Sequence, residues 1–370
     1  MNDDLSNIVK QFQVSDKYSN AIPYGSGHIN DTFLVTCGNA GAEIRYVLQR
    51  INHSIFKDPP NMMENIIRAT SHIQKKLQRS GVSDVSRRVL KVIPTTNGKS
   101  YHKDPEGNYW RSISFIEGTV SYDFLETPQQ AYLAARAFGQ FQYHLADLPE
   151  PTLAETIPDF HNSPKRLQTF IQVLDKDPYD RACDAVDEIG FVLKHASMCD
   201  VLIDLFKKGL IPERVTHNDT KINNVLFDKK TQEGICVIDL DTVMPGLSLY
   251  DFGDMVRTAT CQAAEDERDL SKIRMDIQFF EHIARGYALE TAAFLTDAEK
   301  EHLVFAGKLI TFEQMIRFLT DHLNGDVYYK IHRPGHNLDR ARTQMKLVQS
   351  IQDQEGQMHK LTDEIWNTLS

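Results

Sequence analysis

Strand-forming runs crowd into the first third of this 370-residue chain and nearly vanish after Gly118, with one exception at residues 215–241. That asymmetry points to an α+β fold, with a small β-rich N-terminal lobe and a large, mostly helical C-terminal lobe. Residues 32–37 and 44–51 read as strands, and Tyr46-Val47-Leu48 is typical strand material. Val89 to Ile93 and Tyr109 to Ile116 follow, with Asn97-Gly98 and Glu106-Gly107-Asn108 as turns. Leu5, Ile8, Val9 and Phe12 have helical spacing, and Pro59-Pro60 opens a longer helical pattern through Met63, Ile66, Ile67, Ile73 and Leu77. Beyond Gly118 the helical stretches are 128–147, 164–176, 186–208, a face from Ile273 to Tyr287, 298–324 and 338–368. The boundary falls near 116–120, so the expected domains are 1–118 and 119–370.

The exceptional segment carries the chemistry. His217-Asn218-Asp219-Thr220-Lys221-Ile222-Asn223-Asn224 is followed by the apolar runs Val225-Leu226-Phe227 and Ile235-Cys236-Val237-Ile238, and then by Asp239. Phosphoryl transfer asks a protein for positioning and charge compensation. One carboxylate must meet the acceptor hydroxyl, and hard oxygen ligands must hold Mg²⁺ against ATP phosphates. Asp219 and Asn224 are five residues apart, about one turn, and Asp239 follows at the end of a strand. Taken alone, Asp219 as a turn cap explains the loop as well; the strand and Asp239 behind it favour the metal-dependent reading. Asp241 is a further metal-ligand candidate or an outer partner. Asp251 is placed to brace the loop through its backbone, with a helix cap as the plain alternative for Asp251 or Asp254.

A second feature is Pro23-Tyr24-Gly25-Ser26-Gly27-His28-Ile29-Asn30, between two expected strands. Glycines let the backbone approach a phosphate and offer N–H groups to it. His28 and Asn30 are then candidates for touching nucleotide or acceptor.

Composition removes other classes. Asp and Glu outnumber Lys and Arg 51 to 41, a net charge of −10, which argues against non-specific nucleic-acid binding. The five cysteines show no C-x-x-C spacing, so neither a disulfide framework nor a zinc site is expected, and a reducing, cytoplasmic setting is the simplest expectation. No stretch approaches the about 18 apolar residues of a membrane span, and the acidic N-terminus has no apolar signal core.

With these motifs in place, the chain resembles the aminoglycoside phosphotransferase and choline kinase superfamily, whose fold is bilobal and protein-kinase-like. Within it the chain is similar to the N-acetylhexosamine 1-kinases. The resemblance lies in residues 24–30, Asn52 to Phe56, Pro94-Thr95-Thr96, Phe115-Ile116-Glu117 with Val120-Ser121-Tyr122, and Val215 to Lys221. It continues in Ile238 to Thr242, Asp251 to Asp254, Leu270-Ser271-Lys272, Arg317-Phe318-Leu319 and His336-Asn337-Leu338. It implies ATP as donor, Mg²⁺, and an N-acetylhexosamine acceptor phosphorylated at its anomeric hydroxyl. Asp219 would be the base, and Asn224 and Asp239, with Asp241, would carry the metal. Gly25, Ser26, Gly27 and Gln49 would lie at the nucleotide, with Phe115, Ile116 and Glu117 meeting adenine. His28, Asn30, Asp219, Thr220, Arg317 and Tyr328 would contact the sugar. From spacing alone, Glu313, Arg317 and Asp321 would form an ion-pair ladder on one helix, and Tyr328-Tyr329 would serve equally well as core packing.

One residue departs from the wider kinase pattern. Gln49 stands where kinases place a strand lysine that pairs with the α- and β-phosphates, and a neutral amide cannot supply that charge. Glu64 on the following helix therefore receives no role, and Lys221 is the expected replacement cation near the γ-phosphate. Two other readings stay open: the same fold acting on another alcohol, and a catalytically silent nucleotide-binding module. A cationic acceptor would need several carboxylates, and Asp241, Asp251, Asp254 and Asp321 are available for it.

Overall fold

The computed structural model describes residues 2–14, 17–25, 29–39 and 41–369. The chain forms two compact units. One comprises Met1–Val120, Asp147–Pro158 and Leu226–Met244; the other comprises Ser121–Ala146, Asp159–Val225 and Pro245–Ser370.

The first unit is built on an antiparallel sheet of β1 (Tyr18–Pro23), β2 (Asp31–Cys37), β3 (Ile44–Ile51), β4 (Val92–Ile93), β5 (His102–Lys103) and β6 (Tyr109–Ser114). Its order is β1-β2-β3-β6-β4, with β5 also paired to β6. The edge strand β1 contains Ser19, Asn20 and Pro23, a composition that an edge tolerates and a central strand does not. Helix α1 (Asn2–Val9) lays Leu5, Ile8 and Val9 against Ala21, Val35, Leu48 and Trp110. Helix α2 (Pro59–Arg79) starts where Asp58 accepts from the Asn61 N–H and Pro59 takes the first helical position. It buries Met62, Met63, Ile66, Ile73 and Leu77. The strand expected at 89–93 shrinks to β4: α3 (Val85–Arg88) precedes it, Val89 is extended, and only Val92 and Ile93 meet a partner. A smaller sheet follows the order β10-β9-β7, from β7 (Thr119–Val120), β9 (Val225–Asp228) and β10 (Gly234–Val237). Ile116, Ile235 and Cys236 are buried together beside it.

The second unit is helical. Its elements are α4 (Pro128–Leu145), α5 (Ser163–Lys176), α6 (Val186–His195), α7 (Val201–Lys207), strand β8 (Arg214–Thr216), α8 (Ser248–Ala259), α9 (Ile277–Thr291), α10 (Asp297–Glu301), α11 (Leu303–Leu323) and α12 (His336–Leu369). The single helix expected at 186–208 is broken by a 3₁₀ turn over Ala196–Asp200. The one expected at 298–324 breaks at His302. Thr296 and Glu299 cap α10 reciprocally, and Glu299 also pairs with Arg214 at 2.8 Å. Ile273, grouped with the 277–287 face, lies before α9. Among the described residues no helix is long and apolar enough to cross a membrane.

Helix α8 was not expected from the sequence. Ser248, Asp251, Asp254 and Arg257 form a stripe at helical spacing, but that stripe is buried with the rest of the helix and marks no solvent face. Its Gly253 permits close approach to α11: a Cβ there would lie 2.5 Å from the Ala306 carbonyl oxygen and 2.6 Å from Ile310. Gly253→Ala should therefore cost about 1–3 kcal/mol by overpacking. Urea unfolding measures this, and an unchanged midpoint would refute the steric argument.

Candidate active site

Strand β8 ends at Thr216, and the chain then turns through Asn218 at φ 65°, a left-handed conformation that asparagine tolerates well. Asp251, in the first turn of α8, holds that turn. Its Oδ1 accepts from the Asn218 N–H at 2.7 Å, and its Oδ2 accepts from the His217 N–H at 3.0 Å and from Gln142 Nε2 at 2.6 Å. Its main-chain oxygen accepts from the Thr220 hydroxyl at 2.6 Å. The brace expected of Asp251 is thus present, and the residue is 0% exposed. Burial pushes its carboxyl above the usual range, opposed by His217 and by the hydrogen bonds just named. The His217 ring is buried edge-on to Phe138 and Phe141, at 5.5 and 5.8 Å.

The loop so held presents Asp219. Lys221 Nζ lies 3.1 Å from Asp219 Oδ1, and Asn224 Nδ2 donates to the Asp219 main-chain oxygen at 2.9 Å. Burial alone would raise the Asp219 carboxyl; the charge of Lys221 first, then His217 and Arg257, outweighs it and holds Asp219 below the ordinary aspartate range. The Lys221 ammonium is correspondingly stabilised by Asp219. Both side chains keep contact with solvent, at 23% exposed for Asp219 and 45% for Lys221. Among the described residues no group of three or more His, Cys, Asp or Glu is gathered for a metal. Mg²⁺ carried by one amide, one carboxylate, phosphates and water does not need such a group. Asn224 fits that use, because its NH₂ is turned to Asp219 and its carbonyl oxygen to the other side.

Sequence reasoning missed His161. Its Nδ1 lies 2.8 Å from Glu313 Oε1, and its Nε2 donates to the Asn218 carbonyl at 3.0 Å. Ser163 donates to the other Glu313 oxygen at 2.5 Å. Burial would raise Glu313, but His161, Arg317 and Ser163 hold it below the usual range. His161 stands in no motif, so no local signal marks it. The expected Glu313–Arg317–Asp321 ladder does not form among the described residues, because each member is used elsewhere. Arg317 lies over the Phe160 ring at 5.0 Å and near Tyr329 at 5.9 Å. Asp321 accepts from the N–H groups of Val327, Tyr328 and Tyr329 at 3.0, 2.8 and 2.9 Å, shaping that loop. Tyr329 packs on Phe318, whereas Tyr328 is 52% exposed. Thr220 is fully buried, its hydroxyl committed to Asp251.

The remaining expected residues belong to the sheet-bearing unit. Gly25 has φ 81°; Ser26, Gly27 and His28 lie outside the described residues. Asn30 Nδ2 donates to Asp241 Oδ2 at 2.7 Å, and its Oδ1 accepts from the Asn52 N–H at 2.9 Å. Gln49 Nε2 donates to Thr32 Oγ1 at 3.0 Å. Tyr24 meets Phe115 edge-on at 5.9 Å, and Arg45 lies 4.2 Å from the Phe115 ring and pairs with Glu117. Ile116 is buried. Asp239 is exposed at φ 58° just beyond β10, and Asp241 is buried and paired with Arg111.

Comparison with known proteins adds the following. Residues 20–289 match the phosphotransferase enzyme family known as APH. Among solved structures, the chain is similar to an aminoglycoside phosphotransferase from Alicyclobacillus acidocaldarius, with a TM-score of 0.60 and 12% identity over 97% of this chain and 96% of that one. It is similar to a spectinomycin phosphotransferase solved with ADP and spectinomycin, with a TM-score of 0.58 and 13% identity over 95% and 98%. A choline kinase from Cryptosporidium parvum gives a TM-score of 0.54 and 14% identity over 98% and 99%. At those identities the likeness speaks to the fold, which is the kinase-like α+β fold expected.

Proposed function

The chain belongs to the phosphotransferase enzyme family, and on that premise we propose that it is an ATP-dependent kinase that phosphorylates N-acetylhexosamines at the anomeric hydroxyl. The observation that carries the acceptor class is the fate of the acidic residues. A choline-like or aminoglycoside acceptor needs unspent carboxylates, and the four candidates are engaged by the protein itself. Asp241 takes Arg111 and Asn30. Asp251 takes two backbone N–H groups and Gln142. Asp254 pairs with Arg257 at 2.8 Å through Oδ1, its Oδ2 being buried without a hydrogen bond among the described residues, and Asp321 takes three backbone N–H groups and Asn337. The charge nearest Asp219 is the Lys221 ammonium, and Arg257 beyond it is paired with Asp254 and Glu265. That setting favours a neutral polyol, with Arg317 and Tyr328, and His28 and Asn30 from the Gly-rich segment, as its contacts.

In this reading Asp219 accepts a hydrogen bond from the 1-hydroxyl, orients its oxygen toward the γ-phosphorus, and takes the proton as the new O–P bond forms and ADP leaves. Its lowered pKa keeps it ionised and ready. Lys221, 3.1 Å from Asp219, would compensate charge on the transferring group. Asn224 and Asp239 would hold Mg²⁺, which when bound neutralises phosphate charge. Gly25, Ser26, Gly27 and the Phe115-Ile116-Glu117 segment would cradle the nucleotide.

The test offers the purified protein ATP and Mg²⁺ with N-acetylglucosamine, N-acetylgalactosamine, glucose, choline and an aminoglycoside. ADP release with the N-acetylated sugars is expected, with phosphorus coupling at C1 of the product by NMR. Preference for choline or the aminoglycoside would overturn the acceptor assignment. A second expectation concerns pH. Asp219 is depressed, so it is active when ionised and loses activity as pH falls through its folded value. Removing the cation in Lys221→Met raises that value, so the acid limb of the kcat/KM profile should move to higher pH. A limb that stays in place would mean that Lys221 does not set the charge of Asp219.

A further inference from the structure

Gln49 leaves the lysine position of β3 neutral, the strand's own Arg45 and Arg50 pair with Glu117 and Asp31, and the sheet supplies a cation at Gln49 from the strand beside it. Strands β3 and β6 pair Gln49 directly with Arg111. Directly opposite residues project from the same face of a sheet, about 4.5–5.5 Å apart. An arginine from β6 is long enough to reach over its shorter neighbour, and here it does. Arg111 Nε donates to Gln49 Oε1 at 2.8 Å, which brings the guanidinium to the tip of the side chain on β3. Its Nη1 donates to Asp241 Oδ1, and the same nitrogen is 4.0 Å from Met63 Sδ on α2. Arg111 is 2% exposed. A guanidinium stays charged at any working pH, and a buried one needs an anchored counter-ion and hydrogen-bond acceptors. Asp241 and Gln49 provide both. Glu64, the α2 residue next to Met63, is exposed and takes no part.

The arrangement has the parts of a kinase lysine–glutamate pair in a different order: a cation on the nucleotide sheet, held by an acid from elsewhere in the unit. The acid also reaches the Gly-rich segment, since Asp241 Oδ2 accepts from Asn30 at 2.7 Å. We propose that Arg111, anchored by Asp241, is the cation serving the α- and β-phosphates in this chain, in place of the strand lysine, with Lys221 left to the transferring γ-phosphoryl group. Asp241 is then its counter-ion and not a metal ligand. This rests on the ATP-binding reading above.

The test measures equilibrium binding of ATP and of adenosine, which lacks the phosphates, by calorimetry. The variants are Arg111→Gln/Asp241→Asn, which removes both charges and orphans neither, and Gln49→Lys/Arg111→Gln, which moves the cation back to β3 and leaves Asp241 paired. Circular dichroism checks that each is folded. The neutral pair should lose at least about tenfold in ATP affinity, the loss of one charged hydrogen bond, and keep adenosine affinity. The transplanted lysine should restore ATP affinity toward that of the wild type. Equal losses for ATP and adenosine, or no loss of ATP affinity, would overturn the proposal, as would a folded lysine variant that fails to restore ATP. Wild-type protein that binds neither ligand would instead bring down the ATP reading itself, and this proposal with it.

Discussion

Replacing Asp219 with alanine should lower kcat by about 10²–10⁴-fold, the usual contribution of a positioned general base, while leaving the fold intact. Asp219 is partly exposed and makes no contact that closes a core, so its removal opens no cavity. What is lost is the one ionised carboxylate that the loop presents beside Lys221 and Asn224. Asp219→Asn separates the two parts of its role. The amide still accepts a hydrogen bond from the acceptor but does not take its proton, so KM should change little and kcat should fall nearly as far as in the alanine variant. Turnover within a few-fold of the wild type in both variants would remove Asp219 from the chemistry.

The second large effect is expected at Asp251. Asp251→Ala strips acceptors from the His217 and Asn218 N–H groups and from Gln142, all in fully buried surroundings. Opening a buried charged network of this kind costs about 3–5 kcal/mol. The left-handed turn at Asn218 loses its hold at the same moment, so turnover should fall together with stability. Asp251→Asn is expected to recover part of the stability, because one amide oxygen replaces one carboxylate oxygen, while its NH₂ faces a donor on the other side. Urea unfolding and steady-state turnover, measured on both variants, test this. An unfolding midpoint and kcat equal to the wild type in Asp251→Ala would show that the brace is dispensable.

Much of the site was legible because its chemistry is local in sequence. His217 to Asn224 holds the proposed base, cation and amide within eight positions, and the structure brings Asp219 and Asn224 together as their offset implies. Asp251 was legible as a brace beside the plainer alternative of a helix cap, and its bonds to His217 and Asn218 bear the brace out. Helix α8 was not expected, because its polar stripe of Ser248, Asp251, Asp254 and Arg257 is buried and marks no solvent face. His161 was not legible either, because its role depends on Glu313, 152 positions away.

The residues of 217–239 by themselves determined the site proposed here, since a carboxylate, an ammonium, an amide and a second carboxylate follow one another at the spacing of a loop and hairpin. The run of strands before Gly118 and helices after it determined the fold class, because periodicity is a property of each segment alone. Only the tertiary structure decided which charges remain available. Asp241, Asp254 and Asp321 look alike in sequence, and each is consumed by a partner that the sheet register or helix packing brings to it. Only the pairing of β3 with β6 brought Arg111 to Gln49. Charge is neutralised across space within a few ångströms, and the chain order does not record those distances.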